Sequence, residues 1–245
     1  LNATADTDVI MATGDGEAGG DVTISGSKVN VNATGNVKSD GNELPSTIGI
    51  STYGGDVVIK DGADVTIQVN KAGNTSLGAS GVETTNGVPD TTVEDGLRYT
   101  HGLDDIPNKG GNVTIDNSKL SITASDKATV NDGIYTRTKG APTTVSIVNG
   151  LNVSINTELE LGFATGIYAY TTDDQSHVII KDSFVDVFSD SSTPYSVSYG
   201  ISSLSGSEHA GGSILIDNST VKATSKGAAV IAVNGVSSAS PGSVL

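Results

Sequence analysis

The stretch that decides the fold runs from Gly110 to Ile122 and reads Gly-Gly-Asn-Val-Thr-Ile-Asp-Asn-Ser-Lys-Leu-Ser-Ile. It contains two short alternations of apolar and polar residues, separated by a small polar corner around Asn117. An alternation of period two is typical of a β-strand with one buried face, so Val113 and Ile115 are expected to point to the same side. The corner residues favour a tight turn. The stretch therefore predicts two short strands joined by a corner.

Related phrases recur along the chain. The first alternation is repeated at residues 22–24, 57–59, 113–115, 145–147, 178–180 and 214–216. A glycine followed by an apolar residue precedes most copies, at Gly49-Ile50, Gly96-Leu97, Gly133-Ile134, Gly166-Ile167 and Gly200-Ile201. Self-similarity at this period predicts a solenoid, and a solenoid of period-two strands is a β-helix. We therefore predict an all-β parallel β-helix with three short strands per coil and about six to seven coils.

The unbroken repeat predicts a single domain over residues 1–245, since a solenoid grows by adding coils. Three stretches without strand alternation are expected to be loop insertions at corners, at about residues 71–93, 102–110 and 189–197. The chain begins at Leu1 without a methionine, and we expect it to be part of a longer protein.

Composition narrows the functional classes. The net charge is −15, which disfavours nucleic acid and anionic membrane surfaces as partners because both require a basic footprint. The absence of cysteine excludes disulfides, thiol catalysis and cysteine metal sites. No apolar run is long enough to span a membrane, so no direct membrane insertion is expected.

The phrase Gly-Gly-Asp/Asn-Val-Thr-Ile followed by Asp-Asn-Ser-x-Leu/Val-x-Ile resembles the passenger domains of bacterial autotransporter adhesins. Its clearest copy is the stretch from Gly110 to Ile122, and the segments Gly19 to Val31 and Gly211 to Ala223 are close to it. The resemblance covers nearly the whole chain apart from the inserted loops. It implies a right-handed, single-stranded β-helix displayed on the outer surface of a Gram-negative cell, attached to the outer membrane or released.

Few residues in this sequence are candidates for catalysing a reaction. Glycoside hydrolysis needs two carboxylates on one face, and Asp95 and Asp132 share a repeat position. No acidic column continues from them, so each is expected to be a solvated turn residue. His101, His177 and His209 fall at unrelated repeat positions and predict no zinc site. We therefore expect no catalysis, no metal and no cofactor.

One set of side chains predicts ligand binding. After each glycine-apolar pair, the next residue and the one two places further are expected to point outward. Read coil by coil, these positions place tyrosine and arginine on one exposed face, at Tyr53, Arg98, Tyr135, Arg137, Tyr168 and Tyr170. Tyrosine rings offer flat surfaces to sugars or peptide side chains, and arginine donates paired hydrogen bonds.

These patterns predict a non-enzymatic cell-surface adhesin that binds a host glycan or an extracellular-matrix protein along the Tyr/Arg face. The same residues also have a purely structural interpretation, in which their side chains stack between strands and stabilise the sheet without binding a ligand. Self-association with a copy on a neighbouring cell, giving aggregation and biofilm, is the alternative function. A polysaccharide-degrading β-helix enzyme is a third possibility, with Asp95 or Asp132 as its carboxylates.

Overall fold

The computed structural model describes most of the chain. The described residues are 1–5, 9–13, 20–34, 47–71, 79–85, 111–126, 130–138, 141–159, 163–171, 174–191, 197–205, 212–227, 229–237 and 243–244.

The described ranges contain strands and corners. In chain order the strands are β1 (Asn2–Ala5), β2 (Ile10–Thr13), β3 (Val22–Ser25), β4 (Lys28–Ala33), β5 (Thr47–Tyr53), β6 (Val57–Lys60), β7 (Asp64–Lys71), β8 (Ala79–Thr85), β9 (Val113–Asp116), β10 (Lys119–Asp126), β11 (Val130–Thr138), β12 (Thr143–Val148), β13 (Asn152–Leu159), β14 (Phe163–Thr171), β15 (Ser176–Lys181), β16 (Phe184–Ser191), β17 (Val197–Ser205), β18 (Gly212–Asp217), β19 (Thr220–Lys226), β20 (Ala229–Ser237) and β21 (Ser243–Val244). Within the ranges given above there is no helix long and apolar enough to cross a membrane.

Each strand pairs in parallel with the strand three places along the chain, and the result is three seven-stranded sheets. The first sheet has the order β1-β4-β7-β10-β13-β16-β19, the second β2-β5-β8-β11-β14-β17-β20, and the third β21-β18-β15-β12-β9-β6-β3. The predicted all-β parallel solenoid is confirmed.

The number of turns that the structure establishes is about four, which is lower than the predicted six to seven coils. Residues 111–237 are described with only short gaps and include β9 to β20, whereas the earlier strands are separated by longer stretches outside the description.

Aliphatic side chains stack in columns inside the solenoid. In the third sheet Val57, Val113, Val145 and Val178 occupy one column, and each is fully buried. The column of Ile59, Ile115, Ile147 and Ile180 lies beside it, also fully buried. Burial of a side chain of this size contributes about 1.5–3 kcal/mol. The period-two alternation therefore predicted the core correctly.

The corners between the third and first sheets need a left-handed backbone. Asn and Asp hold positive φ angles there, at Asp61 (59°), Asn117 (46°), Asn149 (51°), Asp182 (48°) and Asn218 (44°). These residue types tolerate that conformation better than other non-glycine residues because their short side chains hydrogen-bond locally. This confirms the corner that the sequence predicts around Asn117.

The expectation of an insertion without strands over residues 71–93 is wrong in part. Lys71 ends β7, and residues 79–85 form β8, a full member of the second sheet paired with β5 and β11. Its Gly81-Val82 is the glycine-apolar pair that aligns with Gly49-Ile50. The Gly96-Leu97 pair, chosen from the sequence for this role, lies outside the described residues.

The two other predicted insertions are only partly within the description. Residues 102–110 lie outside the described residues. In the stretch 189–197, β16 extends to Ser191 and β17 begins at Val197, and residues 192–196 also lie outside the described residues.

Candidate functional site

An irregularity in the second sheet, at the glycine position of its strands, brings the site residues to one face. The pairing of β11 with β14 passes from Asp132–Thr165 directly to Ile134–Ile167, without a Gly133–Gly166 pair. A Cβ atom on Gly133 would overlap the side chain of Ile155, so this position faces the core, as fully buried Ile134 also does. Two successive core-facing positions leave Asp132 on the same outer face as Tyr135.

Four of the six predicted ligand residues lie together on this face, and we call them the aromatic patch: Tyr135, Arg137, Tyr168 and Tyr170. The Tyr135 and Tyr168 rings have centroids 5.5 Å apart and are tilted by 36°. Tyr168 and Tyr170, two residues apart on one strand, have centroids 6.1 Å apart. The Arg137 guanidinium carbon lies 5.8 Å from the centre of the Tyr170 ring, within range of a cation–π attraction.

Solvent reaches the patch unevenly. Tyr135 is only 8% exposed, which differs from the expectation of an exposed ring, whereas Arg137, Tyr168 and Tyr170 are half-buried. Burial raises the pKa of the Tyr135 and Tyr168 hydroxyls well above their ordinary value, and the nearby Asp132 charge raises both further. Both tyrosines are therefore neutral hydrogen-bonding groups at physiological pH.

Asp132 is not the solvated turn acid that the sequence predicts. It is 5% exposed, between Ser80 of β8 and Thr165 of β14. Burial raises the pKa of its carboxyl to about 7, and a hydrogen bond donated by the Thr165 hydroxyl opposes that rise. The sequence reasoning missed this because it looked for an acidic column, whereas the burial of this one acid depends on neighbours from other strands.

A second carboxylate, Glu83, was also missed. It stands opposite Tyr135 in the pairing of β8 with β11, is 5% exposed, and its charge contributes to the raised pKa of Tyr135. The signal was present in the sequence, since residues 79–85 have the same glycine-apolar pattern as residues 47–53. Two carboxylates on one face are what a glycosidase requires. The enzyme alternative nevertheless stays a prediction.

The remaining predicted residues do not join the patch. Tyr53 ends β5 in the same column as Arg137 and Tyr170, but Thr85 of β8 stands between Tyr53 and Arg137. Arg98 lies outside the described residues, as does Asp95.

The histidines give no metal centre within the description. His177 lies on β15, where its Nδ1 is 2.6 Å from the Ser213 hydroxyl, and burial lowers its pKa while Asp174 opposes that shift. His101 and His209 are outside the described residues. Among the residues that the structure does describe, no group of three or more His, Cys, Asp and Glu side chains could hold a metal ion.

The chemistry available on this face is that of recognition. Half-buried rings can stack on a flat ligand, Arg137 can donate hydrogen bonds, and Asp132 can accept one. Comparisons with known proteins provide no family for the chain. No family model matches it, no curated protein is similar to it, and no solved structure matches it.

Proposed function

We propose that this chain is part of a non-enzymatic cell-surface adhesin, which binds a host glycan or an extracellular-matrix protein through the aromatic patch. The observation that carries the proposal is the contact of three tyrosine rings and one arginine on two adjacent strands, with centroid distances of 5.5 and 6.1 Å between the rings. Sugar faces and extended peptides both fit a row of half-buried rings flanked by a guanidinium group.

The finer details of the fold and the cellular location are part of the same proposal. We envisage a right-handed β-helix with three strands per coil. The seven strands of each sheet and the pairing of every third strand support this arrangement. The resemblance to autotransporter passenger domains supports a location on the surface of a Gram-negative cell, with attachment to the outer membrane or release into the medium. The net charge of −15 suits an extended soluble surface domain.

The proposal is tested by screening the purified chain against arrayed glycans and matrix proteins, with Tyr168→Ala beside the wild type. We expect at least one ligand whose binding falls about tenfold or more in Tyr168→Ala, because an aromatic contact of this kind is lost. Tyr168→Phe should retain most of the binding. Phe184→Ala is the matched control, since Phe184 is an aromatic residue 47% exposed on the first sheet.

Two outcomes would count against the proposal. One is a ligand that binds wild type, Tyr168→Ala and Phe184→Ala equally. The other is a screen in which the folded wild type binds nothing.

Self-association is the second candidate function, and one surface favours it. The first sheet carries a polar column along its outer side that includes the exposed residues Asn30, Ser121, Ser154 and Lys222. Many weak polar contacts, summed along two such columns, could join copies on neighbouring cells. Analytical ultracentrifugation without ligand distinguishes this function, since it predicts a mass that rises with protein concentration.

A further inference from the structure

Asp132 has a hydrogen-bonding capacity that the described chain does not use. The Thr165 hydroxyl donates one hydrogen bond to its carboxyl group. The other oxygen, Oδ1, is buried and has no hydrogen-bond partner in the part of the chain that the structure describes. A buried carboxylate oxygen is normally satisfied by two or more donors, and leaving it without one is costly. An arrangement of this kind points to a donor supplied from outside the chain.

The surroundings of Asp132 indicate the charge of that donor. Tyr135, on its own strand, and Tyr168, on the next strand, both lie within the electrostatic reach of Asp132. On the other side, Glu83 of β8 adds a second negative charge near Tyr135. Arg137 is directed toward the Tyr170 ring at 5.8 Å, and its positive charge acts on both Tyr135 and Tyr168. This part of the face therefore has two carboxylates and one guanidinium group, within a chain of net charge −15.

The rings beside Asp132 also favour a cation. Tyrosine faces attract ammonium groups through the ring quadrupole, and this attraction strengthens where water is excluded. Tyr168 is half-buried, as is Tyr199 two strands from Asp132, so this edge of the site is open to solvent. An acidic sugar would instead place its carboxylate or sulfate beside Asp132 and Glu83.

We propose that the ligand of this face is an amino sugar, whose ammonium group donates to Oδ1 of Asp132 while its ring stacks on Tyr168. The inference rests on the proposed glycan-binding function and specifies its ligand class. The ammonium group supplies both the missing donor and a compensating positive charge. Asp132 is then the residue that selects free amines over acetylated ones.

The test uses an oligomer of glucosamine and its N-acetylated counterpart of equal length, titrated into the wild-type chain by calorimetry at pH 7. We expect the free amine to bind more tightly. Asp132→Asn should weaken the amine about 10- to 100-fold, the loss expected for a charge-assisted hydrogen bond, and should leave the acetylated oligomer nearly unchanged. Glu83→Gln, which keeps the shape of the side chain, should weaken the amine by a smaller factor.

A second readout is the proton balance of binding. The titration is repeated at about pH 5.5, where the amine of the sugar is already an ammonium group, in two buffers of different ionisation enthalpy. It should reveal proton release, because Asp132 is mostly protonated before binding and ionised beside the ammonium group afterwards. This measurement uses only the wild type, so it decides the question even if Asp132→Asn does not fold.

The failures of the two proposals can be told apart. Equal binding of the two oligomers, or Tyr168-dependent binding of an acidic glycan in their place, overturns the amino-sugar inference and leaves the glycan-binding function standing. A preference for the amine that survives in Asp132→Asn, with no proton released by the wild type, also overturns the inference. A folded wild type that binds no sugar of any class overturns the inference, and one that binds no matrix protein either overturns both.

Discussion

The stability of this solenoid should depend on pH in a way that one substitution removes. Asp132 is 5% exposed, and burial raises the pKa of its carboxyl from 3.8 to about 7. Its folded-state pKa is therefore above its unfolded value. A group of this kind contributes full stability below the unfolded pKa, and that contribution is lost as the pH rises through the folded pKa.

The size of this effect follows from the shift. Each pKa unit corresponds to about 1.4 kcal/mol, so a rise from 3.8 to about 7 makes the folded state ~4 kcal/mol less stable at alkaline pH than at acid pH. Roughly 3 kcal/mol of this falls between about pH 5 and pH 8.5. An asparagine side chain in place of Asp132 would be neutral throughout this range. Relative to wild type, Asp132→Asn should therefore gain about 3 kcal/mol in free energy of unfolding between pH 5 and pH 8.5.

The assay is urea unfolding followed by circular dichroism, with wild type and Asp132→Asn compared at both pH values. Any cost of burying the new amide is the same at each pH, so it cancels from the comparison. The other carboxylates of the chain cancel as well, because both proteins contain them. A carbon-13 NMR titration of the Asp132 carboxyl provides a direct check.

A raised pKa at Asp132 is refuted if the free energies of unfolding of the two proteins differ by the same amount at pH 5 and pH 8.5. A carboxyl resonance that titrates near pH 4 would refute it equally.

Two further predictions concern the backbone. Gly133→Ala should lower the free energy of unfolding by about 1–3 kcal/mol or more, because its Cβ would overlap the Ile155 side chain and the Gly166 carbonyl oxygen. Gly150→Ala is the control, because the nearest atom to a Cβ at that position is 3.0 Å away. Thermal unfolding in which Gly150→Ala is more destabilising than Gly133→Ala would contradict this account. At Asn117, where φ is 46°, substitution by alanine should lower the free energy of unfolding by about 1–2 kcal/mol, and substitution by glycine should lower it less. Urea unfolding in which both variants are equally stable would argue against a left-handed corner.

The solenoid could be predicted from the sequence because its signals are local. A strand with one buried face alternates with period two, and a left-handed corner favours Asn, Asp or Gly, so short windows such as residues 113–122 contain enough information. The missed strand β8 has weaker signals. Its core positions are Ala79 and Val82, with serine and glycine between them. In a short window of sequence, without the neighbouring strands, these residues are typical of a loop.

The candidate site was harder to predict because it depends on the irregular strand pairing at Gly133. A regular alternation from Ile134 predicts that Tyr135 and Arg137 point outward together, and the structure places them so. The same alternation places Asp132 on the inner side. Its position on the outer face, and its burial there, arise from two successive core-facing residues and from neighbours on other strands.

The pairing of every strand with the strand three places along has a consequence for how the chain is assembled. A newly formed coil presents the same hydrogen-bonding edge and the same aliphatic columns as the coil beneath it, and so acts as a template for the next. Each addition closes a chain segment of similar length and gains a similar burial of apolar surface. Folding can then proceed as growth from a nucleus toward either end, in steps whose free energy changes little with the total number of residues.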